Sequence, residues 1–207
     1  MVRFFRTVCV IGALSVSAGH AQDVNITQDT AERVMTLNGA SVTISRIQNN
    51  DNRLSADFAM TSRPCPPFCI VKMSAAPGVE TVGELEVIDF LQNVVSPGQG
   101  LLLDTRVPSW YAKGAIPGAV NVPFTTLDAS NPFRKEILKA FGATEDGDAL
   151  DFTNAKFLTV YANGPWSDQA ETAVQNLRSA GYPAEKIKYY RGGMQLWLLF
   201  GLTIGQP

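Results

Sequence analysis

The fold of this chain is decided by a ten-residue stretch near its middle, Gly114-Ala115-Ile116-Pro117-Gly118-Ala119-Val120-Asn121-Val122-Pro123. Its two glycines can adopt the positive φ angles that a tight reversal requires. The stretch therefore predicts a turn that leads into a short strand at Val120-Asn121-Val122. So short a strand is stable only as part of a larger sheet, and the flanking sequence supplies candidates for its neighbours.

Three further segments read as buried strands. Leu101-Leu102-Leu103 and Phe157-Leu158-Thr159-Val160-Tyr161 are runs typical of strands that are covered on both faces. Ile187 to Tyr190 is the third. Helical patterns alternate with these strands, which predicts an α/β fold: an open parallel sheet flanked by helices on both faces.

Four helices are predicted around these strands. The first follows Thr81-Val82-Gly83-Glu84, which has the spacing of a capping box, and the third runs from Ser167 or Asp168 to Arg178, with Glu171 completing a second box. The other two are predicted from Asn131 to Ala140 and from Met194 to Phe200. The apolar face predicted for the first helix consists of Val82, Leu85, Ile88 and Leu91.

The segment before this domain is polar and rich in turns. Arg33 to Leu37 and Ala40 to Ile44 flank Asn38-Gly39, the strongest short-range signal for a type I′ β-hairpin. We divide the chain into residues 22–76, a small β-containing N-terminal extension, and residues 77–207, the main domain. The extension is too small for a core of its own and is expected to pack on the main domain.

Residues 1–21 have the composition of a cleaved signal peptide. Arg3 and Arg6 precede the mostly apolar run from Thr7 to Ser17, and small residues follow up to Ala21. Cleavage is expected after Ala21, with Ala18 as the alternative. The competing interpretation is a buried N-terminal helix. Export predicts a periplasmic or secreted protein.

Cleavage after Ala21 removes His20, the only histidine, and leaves two cysteines. Without histidine, a Ser-His-Asp or Cys-His catalytic group cannot form, nor can a histidine-based metal site. Two of the 17 basic residues are lost while all 19 acidic residues remain, so the formal charge changes from −2 to −4. This charge argues against nucleic-acid and anionic-lipid partners. We expect no cofactor, no metal and no membrane span in the mature chain.

Three motifs together resemble the rhodanese family, from about Pro77 to Ile204. They are Leu103-Asp104-Thr105-Arg106, the stretch from Gly114 to Pro123, and Tyr190-Arg191-Gly192-Gly193-Met194-Gln195-Leu196-Trp197. The resemblance implies a reactive cysteine at the start of the loop after the central strand. Backbone N–H groups and a helix N-terminus would stabilise its thiolate or persulfide.

This chain departs from the family at that loop, which reads Ala162-Asn163-Gly164-Pro165-Trp166-Ser167. Ala162 stands where the family's cysteine would be, and Pro165 removes one N–H group. The arginine usual near the end of the loop is absent. We therefore expect no ordinary thiosulfate sulfurtransferase activity, and we exclude the phosphatase relatives, which need both groups.

The altered loop predicts a candidate pocket for an anion or for an acidic group of a partner. Asn163, Trp166 and Ser167 lie near a helix N-terminus in this prediction. The alternative is that Ser167 only caps the helix and Trp166 only packs against its neighbours. Arg191 is a candidate source of positive potential at the pocket mouth. Asp104 and Arg106 are also pocket candidates, although a structural pair is the favoured interpretation.

Cys65-Pro66-Pro67-Phe68-Cys69 predicts an intrachain disulfide in an oxidising compartment. The chain must turn, because a disulfide needs Cα atoms within about 7 Å and four extended steps span about 13 Å. Redox or sulfur-carrying chemistry is the second interpretation, and metal binding is the third.

The sequence thus leaves two functions open. The first is an exported rhodanese-like protein that acts as a non-catalytic binding or assembly module, with an unknown protein or a small anionic ligand as partner. The alternative is a sulfur-carrier or thiol-redox protein that uses Cys65 and Cys69.

Overall fold

The computed structural model describes residues 23–147 and 149–206, and the signal-peptide prediction lies outside these residues. The first two strands, β1 (Glu32–Leu37) and β2 (Ala40–Ser45), form an antiparallel hairpin. Asn38 and Gly39 connect them with φ angles of 52° and 79°. Two consecutive positive φ angles are those of the predicted type I′ turn.

The hairpin packs against the turn that decides the fold. Met35, Leu37 and Ile44 are buried and join one of the two hydrophobic clusters of the main domain. Gly118 has a φ of +79°, and a Cβ atom on it would lie 2.9 Å from Cδ1 of Leu37, so a side chain here would be strained and would push Leu37 aside. A single helical turn, α1 (Ala56–Ala59), follows the hairpin.

Seven more strands follow, and five of them form one parallel sheet. The strands within this sheet lie in the order β3-β9-β8-β4-β5, and β6 pairs with β7 in a separate hairpin. In chain order they are β3 (Glu80–Thr81), β4 (Gly100–Asp104), β5 (Ala119–Asn121), β6 (Thr144–Asp146), β7 (Ala149–Asp151), β8 (Phe157–Tyr161) and β9 (Ile187–Tyr190).

Helices cover both faces of the sheet. Leu103 and Val160 face a hydrophobic cluster that includes buried residues of α4 and α5, whereas Leu102 and Tyr161 face the cluster that includes α2 and α6. The helices are α2 (Glu84–Phe90), which continues as a π-helical turn over Leu91–Val95, α3 (Pro108–Tyr111), α4 (Arg134–Ala140), α5 (Gln169–Ser179) and α6 (Gly193–Leu199). This architecture confirms the predicted fold class. Within the described residues, no helix is long and apolar enough to cross a membrane.

The predicted capping box at Thr81 is wrong, because Thr81 belongs to β3 and pairs there with Tyr189. The helix begins at Glu84, and the Gly83 N–H donates to Oε2 of Glu86 at 3.0 Å. The predicted apolar face changes with this start: Leu85 is 47% exposed.

The capping of α5 and the start of α4 also differ from their predictions. Asp168 is the N-cap of α5, but its φ and ψ of −81° and −3° are helical, and no side-chain bond caps the helix. The second predicted capping box, with Glu171, is therefore wrong. Helix α4 begins at Arg134, because the Asn131 side chain accepts the N–H of Phe133 at 2.8 Å and holds a turn there.

Candidate functional site

The loop between β8 and α5 is sealed against the N-terminus of α6. The N–H of Met194 donates to the Ala162 carbonyl at 3.0 Å, and the N–H of Gln195 donates to the Asn163 carbonyl at 2.8 Å. Ala162 is 2% exposed and Asn163 is 3% exposed. The first two residues of the loop are therefore buried in the interior of the domain.

Gly193 makes this seal possible. Its φ is +54°, and a Cβ atom at this position would lie 2.3 Å from the Ala162 oxygen and 2.8 Å from the Gly164 nitrogen. Both contacts would be with backbone atoms, which cannot rotate away. The close approach of α6 to the loop therefore requires glycine.

The polar side chains predicted at this loop do not converge on an open pocket. Oδ1 of Asn163 is buried and has no hydrogen-bond partner among the described residues. Ser167 is buried, and its N–H donates to the Gly164 carbonyl at 3.0 Å. Asp168, not Ser167, holds the N-cap position of α5.

Trp166 leaves the loop on the outer side and joins an aromatic cluster. Its ring centroid lies 5.6 Å from that of Phe68, 6.2 Å from that of Phe58 and 6.4 Å from that of Trp110. Its Nε1–H donates to Oε1 of Gln195 at 3.1 Å, and Nε2 of Gln195 donates to the Phe58 carbonyl at 2.9 Å. Trp166 thus connects the loop, α6 and the extension.

A groove of about 620 Å³ lies on the outer side of Trp166. We call it the disulfide groove, and its lining residues are Met60, Thr61, Ser62, Arg63, Cys65, Phe68, Cys69, Ile70 and Trp166. Cys65 and Cys69 are joined by a disulfide, with their Cα atoms 4.7 Å apart. The candidate redox pair and the outer part of the altered loop therefore share one surface.

Arg63 is the cationic residue that lines the disulfide groove. Its guanidinium carbon lies 4.4 Å from the ring centroid of Trp166 and 4.8 Å from that of Phe68. Its Nε atom is buried without a hydrogen-bond partner among the described residues. No ion pair within residues 23–147 and 149–206 includes Arg63.

Arg191 attaches the extension to the main domain. Its Nη2 donates to the Val71 carbonyl at 2.9 Å, and its Nε donates to the Lys72 carbonyl at 3.1 Å. The N–H of Val71 in turn donates to the Pro165 carbonyl at 3.0 Å. Arg191 therefore binds backbone carbonyls, and it is not among the residues that line the disulfide groove.

Asp104 and Arg106 form a buried ion pair at the end of β4. Nε and Nη2 of Arg106 donate to the two carboxylate oxygens, with Nη2 to Oδ2 at 2.6 Å, and Nη2 also donates to the Gly114 carbonyl at 2.7 Å. The Tyr161 hydroxyl donates to Oδ2 of Asp104 at 2.7 Å. Burial raises the pKa of Tyr161 well above its usual value, and the Asp104 carboxylate raises it further, so the phenol stays a donor. This network holds the reversal at Gly114 on the sheet.

A metal site is not evident in residues 23–147 and 149–206, where no group of three or more His, Cys, Asp or Glu side chains could hold an ion. What the arrangement offers chemically is one cation and one disulfide beside an apolar surface.

Comparison with known proteins identifies the class to which this α/β domain belongs. A family model for the rhodanese-like domain matches residues 88–199, more than half of the chain. The chain therefore belongs to the rhodanese-like domain family. None of the curated proteins matches it.

Several solved structures are similar to this chain, at low identity. A protein of unknown function from Rhodopseudomonas palustris is 21% identical over 63% of this chain and 88% of its own, with a TM-score of 0.46. A human single-domain sulfurtransferase is 24% identical over 58% of this chain and 96% of its own, with a TM-score of 0.41. A rhodanese-related protein from Thermoplasma volcanium is 18% identical over 62% and 99%, with a TM-score of 0.42.

Sequence reasoning missed Phe58, Arg63 and the role of Gln195. Each acts on Trp166 from a segment distant along the chain, so no local periodicity marks it. A weak signal existed for Arg63, since it precedes the cysteine ring by two residues and Phe68 lies within that ring. Gln195 belongs to one of the three motifs, but its hydrogen bonds to Trp166 and to the Phe58 carbonyl could not be predicted from the motif.

Proposed function

We propose that this chain is an exported rhodanese-like protein that binds or assembles with a partner and does not carry out persulfide sulfurtransfer in its main loop. One observation carries the proposal. Ala162, which occupies the place of the family's cysteine by resemblance, is 2% exposed and packs in the hydrophobic cluster that includes residues of α4 and α5. A methyl side chain cannot carry a sulfur atom, and its burial leaves no room for a substrate beside it.

The disulfide groove supports binding as the remaining activity. It joins apolar side chains, an arginine that forms no ion pair with any described residue, and an aromatic residue of the altered loop, which is the usual composition of a recognition surface. Export rests on the charged, apolar and small residues of positions 1–21 and on the pairing of Cys65 with Cys69. The mass of the N-terminal peptide of protein from the periplasm or medium would test export and choose between Ala21 and Ala18.

Steady-state assay of thiocyanate formation from thiosulfate and cyanide tests the non-catalytic part. We expect a rate equal to the uncatalysed reaction over a range of thiosulfate concentrations. The positive control is a rhodanese that has its loop cysteine. A rate that exceeds the background and scales with the concentration of this protein would overturn the proposal.

Sulfur or thiol-redox chemistry at Cys65 and Cys69 is the second candidate function. The observation in its favour is that both cysteines line the same groove as Trp166. After a dithiol reductant opens the disulfide, a thiolate would attack the outer sulfur of thiosulfate, form a persulfide and release sulfite.

Peptide mass analysis of protein from its own compartment, before and after reduction and thiosulfate treatment, decides between the two. A disulfide that reforms without added mass favours the binding function. A Cys65 or Cys69 peptide heavier by one sulfur atom favours sulfur transfer. The Cys69→Ser variant shows which thiol carries it.

A further inference from the structure

The disulfide groove combines exposed apolar side chains with one arginine, and this combination indicates which class of ligand it can bind. Its walls include the apolar side chains of Met60, Phe68 and Ile70, and two of these are far more exposed than core residues are, at 62% for Met60 and 87% for Ile70. Exposed apolar side chains around a groove mark an interaction surface. Among the described residues that line the groove, Arg63 is the one that carries a charge.

Arg63 is held in place but is not neutralised. The rings of Trp166 and Phe68 lie 4.4 and 4.8 Å from its guanidinium carbon, and no carboxylate lies within 4.0 Å of it among the described residues. Its buried Nε donates no hydrogen bond to any acceptor among the described residues. A guanidinium fixed in this way matches a carboxylate through two parallel hydrogen bonds.

The groove is also preformed. The disulfide closes the ring from Cys65 to Cys69, and the hydrogen bond from Val71 to Pro165 fixes the segment that follows. Ser62, on the groove wall, has a φ of +55°, a backbone conformation that non-glycine residues rarely adopt. A surface that is ordered before binding loses less entropy when a ligand docks.

We infer that the disulfide groove binds a segment of a partner protein in which an Asp or Glu carboxylate, seated on Arg63, stands beside an apolar side chain that packs on Met60 and Ile70. This inference rests on the proposed binding function and names the partner's chemistry. A small inorganic anion would satisfy Arg63 but would leave Met60 and Ile70 in water. An apolar ligand without a carboxylate would bury the guanidinium unpaired, which is unfavourable.

A random heptapeptide library displayed on phage, selected on the full chain in its disulfide form, tests the inference. We expect enriched peptides to share an Asp or Glu next to an apolar residue. The affinity of a synthetic peptide with the enriched sequence is then measured by calorimetry. The Arg63→Gln variant should lose about tenfold to a hundredfold in affinity, the range of a hydrogen bond to a charged group. Arg63→Lys, which keeps the charge without the planar fork, should lose less.

Two controls isolate the contact. Arg33→Gln removes an exposed arginine in the hairpin and should leave the affinity unchanged. A peptide whose acidic residue is replaced by its amide should bind wild type and Arg63→Gln equally weakly. Equal melting temperatures show that each variant is folded.

The outcomes separate this inference from the proposed function. Peptides that need Trp166 but bind Arg63→Gln as tightly as wild type would overturn the inference and leave the binding function standing. A selection that enriches nothing, or enriches only peptides indifferent to both residues, would overturn the inference and remove the groove's support for binding. Thiocyanate turnover by a chain that binds acidic peptides through Arg63 would overturn only the non-catalytic proposal.

Discussion

Two arginines of this protein have opposite surroundings. A carboxylate neutralises Arg106 at the end of β4, whereas Arg63 in the disulfide groove packs against aromatic rings. Arg106 is 1% exposed and gives its donors to the Asp104 carboxylate and the Gly114 carbonyl. Arg63 is only partly buried and lies against two aromatic rings, and no carboxylate among the described residues pairs with it. A buried, paired arginine contributes to the fold, whereas a stacked, unpaired one is free to contribute to binding. If this is so, substitutions around Arg106 should reduce the stability of the fold, whereas substitution of Arg63 should mainly reduce binding.

Asp104→Asn should cause the largest loss. The substitution leaves Arg106 charged and buried without its carboxylate, for which the expected cost is about 3–5 kcal/mol of unfolding free energy. Urea unfolding followed by circular dichroism measures it. Asp51→Asn, which breaks an exposed pair at 3.9 Å with Arg53, is the matched control and should change stability by less than about 1 kcal/mol. Equal effects of the two substitutions would contradict the structural role of Arg106.

Gly193→Ala tests the seal between α6 and the loop. Positive φ and a Cβ atom 2.3 Å from the Ala162 oxygen should together cost about 2–4 kcal/mol. Gly98→Ala is the control, because Gly98 also has a positive φ, +82°, but nothing lies within 4 Å of its added Cβ. The difference between their unfolding free energies isolates the steric contact. No difference would mean that the loop is not closed by Gly193.

Much of the fold could be predicted from the sequence. Continuous apolar residues mark β4 and β8 because a strand buried on both faces needs them, and Asn38-Gly39 marks the hairpin because both residues take positive φ. The capping-box pattern predicts a start of α2 that is too early, and the reason is physical. Thr81 has a capping residue's chemistry, but its pairing with Tyr189 in β9 places it in a strand.

The groove could be predicted only in part. The disulfide follows from two cysteines four positions apart, but the position of Arg63 depends on Trp166, about a hundred residues further along the chain. No local pattern encodes a contact of that range. The charge of Arg106 could be assigned to Asp104 because their spacing in the motif keeps them together, whereas the surroundings of Arg63 needed the structure.

The disulfide should have an intermediate effect. Replacing Cys65 and Cys69 by serine together frees a five-residue ring, for which the loop-entropy cost is about 2 kcal/mol of unfolding free energy. Wild type unfolded with a thiol reductant is the control and should match the double variant. If reduction leaves the stability unchanged, the disulfide does not constrain the groove, which would contradict its preformed shape.

Arg63→Gln should have the smallest effect on the fold, and this result is the most direct test of the comparison. Cation–π contacts at exposed sites contribute about 0.5–1 kcal/mol each, so we expect the unfolding free energy to fall by no more than about 1–2 kcal/mol, well below the effect of Asp104→Asn. The same urea titration measures both variants. A loss for Arg63→Gln as large as that for Asp104→Asn would make Arg63 a structural residue like Arg106. A small loss of stability together with a large loss of peptide affinity would place its contribution in binding.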